Sequence, residues 1–232
     1  MKARFLLVAL AINSYAPTVS AAASGPLPVA TFDRKPVIVS AADGTLLAWF
    51  VRTNSSGQVV TVQESRDHGS TWTEETTQLA LPAEPGRWGG LEALVDRSDE
   101  VHLFITNDAK TAKKPFRRRR YDIWHVRSEA GRTTWQQPKP IWQGYTGALN
   151  SVIQLRSGRI LLPFSYLTPR TWRNRGKGLD AFTYRGQFDC TLVYSDDNGT
   201  SWHRSPSSLK VTTPRYRLRS RRPPRATRGH LG

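Results

Sequence analysis

Ser195-Asp196-Asp197-Asn198-Gly199-Thr200-Ser201-Trp202 is an eight-residue box that returns twice more in the chain. An earlier copy reads Ser65-Arg66-Asp67-His68-Gly69-Ser70-Thr71-Trp72. Between them lies a degenerate copy, Ser128-Glu129-Ala130-Gly131-Arg132-Thr133-Thr134-Trp135, with Ala130 in place of the Asp and its Gly one position early. In all three, Ser stands seven positions before Trp, and Thr or Ser precedes the Trp. The tryptophans lie 63 and then 67 residues apart. A fixed long period is the mark of a repeat architecture.

Working outward, each box follows a strand-like run: Val59 to Gln63, Tyr121 to Val126 and Thr191 to Tyr194. Further upstream, each unit carries a strand, a tight turn and another strand. The first is Val37 to Ser40, Asp43-Gly44, then Thr45 to Phe50. The second is Leu91 to Asp96, Ser98-Asp99, then Glu100 to Ile105. The third is Ser151 to Arg156, Ser157-Gly158, then Arg159 to Phe164. Asp-Gly between β-rich runs is a hairpin signal. Three strands before each box and a fourth after it give four-stranded units, which stack as the blades of a β-propeller. No long stretch shows the 3.6-residue period of an amphipathic helix. A string of β-sandwiches is the rival, disfavoured because about 65 residues is short for one sandwich.

The box reads as a structural turn. Asp and Ser side chains hydrogen-bond the backbone of a bend, Gly69 and Gly199 supply positive φ, and the Trp ring packs between strands and neighbouring blades. The resemblance of Asp196 to Gly199 to a calcium loop lacks the downstream Glu and the full spacing.

Composition bounds the function. The chain has 232 residues, 38% hydrophobic, with eight tryptophans, which excludes global disorder. One cysteine, Cys190, excludes a disulfide scaffold or thiolate cluster. The net charge of +16 is concentrated in a leader, a loop at 107–120 and a tail at 214–232. The remainder is near balance, so no nucleic-acid-binding body is expected. Residues 1–23 have the three-part pattern of a signal peptide: Lys2 and Arg4, an apolar run from Phe5 to Ile12, then Ser20-Ala21-Ala22-Ala23. A secreted or periplasmic monomer without a membrane span is expected. Blades fill 24–213. After Val211-Thr212-Thr213 the β pattern and the acidic residues stop. The Arg/Pro-rich tail reads as a change of reading frame. The alternatives are a basic tail for nucleic acid, heparin-like glycans or anionic lipid, and a disordered tail. The five histidines show no metal-ligand spacing, and no nucleophile elbow or phosphate loop occurs. No metal and no cofactor are expected.

The boxes on strand hairpins at blade spacing resemble the Asp-box (BNR) repeats of the sialidase superfamily, over about residues 30–205. The resemblance implies a six-bladed propeller, of which about three blades and part of a fourth are present. It also implies an exo-sialidase-type activity on terminal sialic acids, with sialylated or other acidic glycans as partners. Sialidases use a Tyr nucleophile assisted by Glu, an Asp acid/base and an arginine triad. Arg34, in Asp33-Arg34-Lys35-Pro36 before the Asp43-Gly44 turn, is similar in place to the first triad arginine. A guanidinium fork matches a carboxylate bidentately. Arg52 resembles a second pocket arginine. Residues 51–64, where the acid/base Asp is expected, hold only Glu64 as an acid, with Asn54 in the corresponding region. An amide does not donate a proton as a carboxylic acid does, so no catalytic residue is assigned. Glu92, following Gly89-Gly90, is a further substrate-binding candidate at a pocket rim, and Asp122 is another candidate carboxylate. The Tyr, its Glu and two more arginines belong to the family's second half. A non-catalytic glycan-binding propeller and a protein-interaction propeller are the alternatives.

Overall fold

The computed structural model describes residues 31–83, 85–109, 120–129, 131–167 and 188–210. The expected signal peptide at 1–23, most of the basic run at 107–120 and the tail at 214–232 lie outside the described residues, as does any start of a fourth blade beyond Lys210. The described residues form β-strands and turns without a helix. No helix among them is long and apolar enough to cross a membrane.

The strands make three separate antiparallel sheets, each drawn from consecutive residues. The first is β1 (Val37–Ser40), β2 (Leu46–Asn54), β3 (Gly57–Ser65) and β4 (Thr76–Ala80), ordered β1-β2-β3-β4. The second is β5 (Arg87–Val95), β6 (Val101–Asp108), β7 (Tyr121–Arg127) and β8 (Lys139–Trp142), in the same meander. The third is built on β11 (Ile160–Leu167) and β12 (Phe188–Ser195). Its outer strand comprises β13 (His203–Arg204) and β14 (Leu209–Lys210), both paired with β12. Only two residues of the run expected as a strand from Ser151 to Arg156 are in a strand, and a further strand lies upstream of that run. β9 (Thr146–Leu149) pairs the far half of β11, and β10 (Ile153–Gln154) pairs its near half. Asn150 to Val152 make the break, where Asn150 N–H donates to the Pro163 carbonyl at 3.1 Å. Three strands before each box and one after it is the blade pattern of a β-propeller.

Each box ends its third strand with one hydrogen-bonded bend. Asp67 Oδ1 accepts from Ser65 Oγ and Thr71 N, both at 2.8 Å, and its Oδ2 accepts from Thr71 Oγ1 at 2.6 Å. Asp197 repeats the pattern with Ser195 Oγ, Ser201 N and Ser201 Oγ at 2.8, 2.8 and 2.5 Å. Two consecutive left-handed residues turn the chain, His68 with Gly69 and Asn198 with Gly199. In the degenerate box Glu129 supplies the carboxylate from one position earlier, accepting from Thr134 Oγ1 at 2.6 Å. The left-handed pair becomes Gly131 with Arg132.

The core lies between successive sheets, because a strand buries alternate side chains on opposite faces. Leu47, Trp49 and Val62 of the first sheet pack with Leu103, Ile105 and Val126 of the second. Phe104 and Ile123 of the second pack with Ile160, Leu162, Phe164 and Val193 of the third. The box Trp of each later sheet lies edge-on against an aromatic of the sheet before it: Trp135 on Trp49 at 5.7 Å, and Trp202 on Phe104 at 5.3 Å. Trp72 packs on Phe32 instead. Trp72 and Trp202 are half-buried rather than fully enclosed.

The second and third sheets are also joined by polar contacts. Asn198 Nδ2 donates to Glu100 Oε2 at 3.0 Å, Arg127 donates to the Asn198 carbonyl, and Lys139 Nζ donates to the Thr200 carbonyl at 2.6 Å. Asp96 is buried beside them. Burial opposes its ionisation, but donation from His102, the Glu100 N–H, Asn198 and the Ser98 N–H outweighs this and holds its carboxyl at about 2.

Two outcomes follow. Gly158 (φ +91°) has open space around it, whereas a Cβ on Gly199 (φ +82°) would stand 2.7 Å from His125 Cε1. Gly158→Ala is expected to cost about 1–2 kcal/mol for the left-handed backbone, and Gly199→Ala about 1–3 kcal/mol more for overpacking, read by urea unfolding. Equal losses would contradict the tight seam. Hydrogen bonds led by Thr71 Oγ1 hold the Asp67 carboxyl at about 2. The stability from Asp67 and Asp96 is therefore present above the ordinary carboxylate value and lost as pH falls from about 4 toward 2. Melting temperatures between pH 5 and 2 check this.

Candidate functional site

The first strands of successive sheets lie beside one another, β1 against β5 and β5 against β9. A cleft of about 770 Å³ opens where the first two meet. Arg34 and Lys35 enter it from the segment before β1, Val51 and Thr53 from β2, Arg87 and Glu92 from β5, and Tyr121 from β7. A second cavity of about 530 Å³ continues toward β9, and Glu92, Thr106 and Tyr121 line both. Its far wall includes Tyr145 and Phe188. Tyr145 stands edge-on to Tyr121, with ring centres 4.9 Å apart.

Local sequence explains the opening in the floor. β5 bulges between Trp88 and Leu91, so that Gly89 and Gly90 stand together opposite Thr106. A Cβ on either glycine would lie 3.3 Å from Thr106 Oγ1. Bulges re-aim the side chains that follow, here Glu92. Gln58 of β3 fixes this stretch to the first sheet: its amide donates to the Trp88 carbonyl at 2.9 Å and accepts from Trp88 N at 2.7 Å.

Three cations, Arg34, Lys35 and Arg87, share the cleft with the carboxylates of Glu92 and Asp108. Arg34 is exposed, and its Nη1 donates to the Val51 carbonyl at a long 3.4 Å. The half-buried Glu92 carboxylate has no hydrogen-bond or ion-pair partner among the described residues. Burial pushes its pKa up, with Lys35 pulling weakly the other way.

The structure brings Arg34 and Glu92 into one cleft and places Arg52 outside the cleft lining. The Arg52 guanidinium makes two bonds to Glu75, at 2.8 and 2.6 Å, and two to Asp33, at 2.8 and 2.9 Å. It also lies 4.5 Å over the Phe50 ring. It thereby holds the segment immediately before Arg34. Asn54 is at the exposed β2–β3 hairpin, where its Oδ1 accepts from Ser56 N at 2.9 Å. Asp122 is buried behind Tyr121. Burial pushes its carboxyl up, against donation from Gly144 N at 2.9 Å and an ion pair with Arg120 at 3.0 Å. Lys35, Arg87, Tyr121 and Asp108 are cleft residues that the sequence reading missed; the Gly89-Gly90 pair inside a strand was the available signal.

Asp96, Glu100 and His102 bring side-chain oxygen and nitrogen atoms within 4.8 Å of one another. Each is engaged in the hydrogen bonds and ion pairs of the seam between the second and third sheets.

No protein-family model matches the chain, and no curated protein matches it. Solved structures do match. The chain is similar to Hadza microbial sialidase Hz136, at 19% identity and a TM-score of 0.51, over 75% of this chain and 38% of that one. It is similar to a protein of unknown function from Dyadobacter fermentans DSM 18053, at 18% identity and a TM-score of 0.53, over 74% of this chain and 53% of that one. It is also similar to Trypanosoma rangeli sialidase in its covalent complex with 2,3-difluorosialic acid, at 17% identity and a TM-score of 0.50, over 76% and 30%. The chain thus spans about a third to a half of these proteins. At this identity the likeness is one of fold, the sialidase-type β-propeller.

The Glu92 shift sets a test. A carboxylate whose pKa rises on folding destabilises the folded state once it is ionised. Glu92→Gln is expected to raise stability at pH 7 and to leave it unchanged at pH 3.5, read by urea unfolding. The same effect at both pH values would mean that burial does not perturb this group.

Proposed function

We propose that this chain is part of a sialidase-type propeller that binds a terminal acidic sugar, sialic acid foremost, in the cleft between its first two sheets. The observation that carries the reading is the convergence of Arg34, Lys35 and Arg87 around a concave floor opened by Gly89 and Gly90. Guanidinium groups grip a sugar carboxylate in a planar fork. Arg52 contributes by holding Asp33, and with it the approach of Arg34. Glu92 faces the same space and, when protonated, donates to a sugar hydroxyl or carboxylate. The sialidase fold of the similar structures supports a sugar-directed role. The signal-like pattern of residues 1–23 supports action outside the cytoplasm, where sialylated glycans are displayed.

Hydrolysis of a sialoside is the second reading, favoured by the same fold. Binding without turnover is preferred because the stretch expected to supply an acid/base Asp carries Asn54, whose amide is occupied in a hairpin turn.

Glycan-array binding and a fluorogenic sialoside assay on the same preparation separate the two. Sialylated glycans are expected to bind above neutral ones. Arg34→Ala is expected to weaken binding by about 10- to 100-fold, the scale of one lost charged hydrogen-bonding group at about 1.5–3 kcal/mol. Equal binding of sialylated and desialylated glycans would end the proposal, and turnover by the wild type would promote the second reading.

A further inference from the structure

Aligning the three sheets on their turns and boxes shows where the second differs. The third residue after the left-handed turn position is Leu47, His102 and Leu161 in the three sheets, and the third residue before the box Ser is Val62, His125 and Leu192. Two aliphatic positions are therefore histidines only in the second sheet. Both rings are buried, at 0% and 1% exposure, and they stack with centres 5.2 Å apart.

The pair is wired in one direction. Asp96 Oδ2 lies 3.2 Å from His102 Nε2, and His102 Nδ1 lies 3.0 Å from His125 Nε2. With Asp96 ionised, His102 donates from Nε2, its Nδ1 accepts, and His125 donates from Nε2. His125 Nδ1 is then a bare buried nitrogen, and it has no hydrogen-bond partner. A further proton on this closed chain would find no hydrogen-bond acceptor. A proton on His102 Nδ1 would set two N–H groups face to face. A proton on His125 Nδ1 would create a buried N–H without an acceptor, and burial, His102, Lys139 and Arg127 all oppose that charge.

The box of the third sheet sits on this pair. A Cβ on Gly199 would meet His125 Cε1 at 2.7 Å and His102 at 3.1 Å, and the Trp202 ring stands 5.0 Å from His125. The charged groups of the second sheet around the pair are Asp96, Glu100, Arg127 and Lys139. From the third sheet, the box brings Asn198, Gly199 and Trp202. Its own acids are turned elsewhere, Asp197 into the bend and Asp196 onto Arg159.

We infer that His102 and His125 form an acid-sensitive lock between the second and third sheets, which releases the third-sheet box when His125 takes up a proton. In the closed seam His125 stays neutral, whereas a released or unfolded His ionises near pH 6.5. The sign follows: the lock is at full strength above about pH 6.5 and weakens below it. Opening rises by up to tenfold per pH unit for each proton taken up. The buried carboxylate Asp96 adds its own loss only below about pH 4.

Hydrogen exchange of the full chain, followed by mass spectrometry at pH 7.5, 6.5, 5.5 and 4.5 and corrected for the intrinsic rate, tests the lock. Residues 65–72 form the internal control, because that box sits on no histidine pair. Protection of 195–202 relative to 65–72 is expected to fall severalfold or more between pH 6.5 and 4.5. His125→Gln, with a non-titrating donor, and His125→Leu, matching the third sheet, are each expected to flatten that ratio. A wild-type ratio that stays constant with pH would overturn the lock, whether or not either variant folds. So would an unchanged pH dependence in a folded variant.

Discussion

A single carboxylate closing a five-residue bend underlies the architecture. Asp67 and Asp197 each gather two hydroxyl donors and a backbone N–H. The bend ends the third strand at a fixed place and sends the chain back as the fourth. It also presents Gly and Trp to the neighbouring sheet. With the bend fixed, the face of Leu47, Trp49 and Val62, and that of His102, Phe104 and His125, become receptors for the sheet that follows. The degenerate second box shows which part is essential. Glu129 restores the carboxylate and Trp135 keeps its seat on Trp49, although the Asp is gone.

The cleft is a by-product of that stacking. Sheets that splay around an axis bring their first strands together and leave space where side chains are small. Gly89 and Gly90 supply the space, and the bulge they occupy aims Glu92 into it. Gln58 then ties the floor to the first sheet through both ends of its amide. The cationic rim is held by ordinary ionic hardware: Arg52 is committed to Glu75 and Asp33, so the Arg34 segment is anchored while Arg34 stays exposed. Two arginines 18 residues apart thus divide anchoring from presentation.

The repeat and its strands were legible in the sequence because turn chemistry and period-2 patterning are local. The strands before each box and both complete boxes fall where the residues place them. The break between β9 and β10 was not legible, since Asn150 to Val152 carry no Gly or Pro. The cleft was half legible. Arg34 and Glu92 were found from position, but Lys35 lies in the segment before β1, Arg87 and Tyr121 are ordinary strand residues, and their convergence depends on how two sheets stack. Arg52 shows the converse: nothing local in its sequence indicates that Glu75, 23 residues on, engages its guanidinium. The histidine pair escaped notice because its partners lie on neighbouring strands, which only register brings together.

Among the described residues, each sheet takes its strands from one stretch of sequence, 37–80, 87–142 and 146–210, and no named strand pairs with a strand of a neighbouring sheet. Such a layout suits vectorial synthesis. As the polypeptide leaves the ribosome, the first meander can close on local pairings before the second has been translated, so little loop-closure entropy is paid across the whole chain. The cost falls on the newest sheet, whose apolar face waits uncovered for the length of one repeat. At about 5–20 residues per second, that interval is several seconds, during which the uncovered face is open to off-pathway contacts.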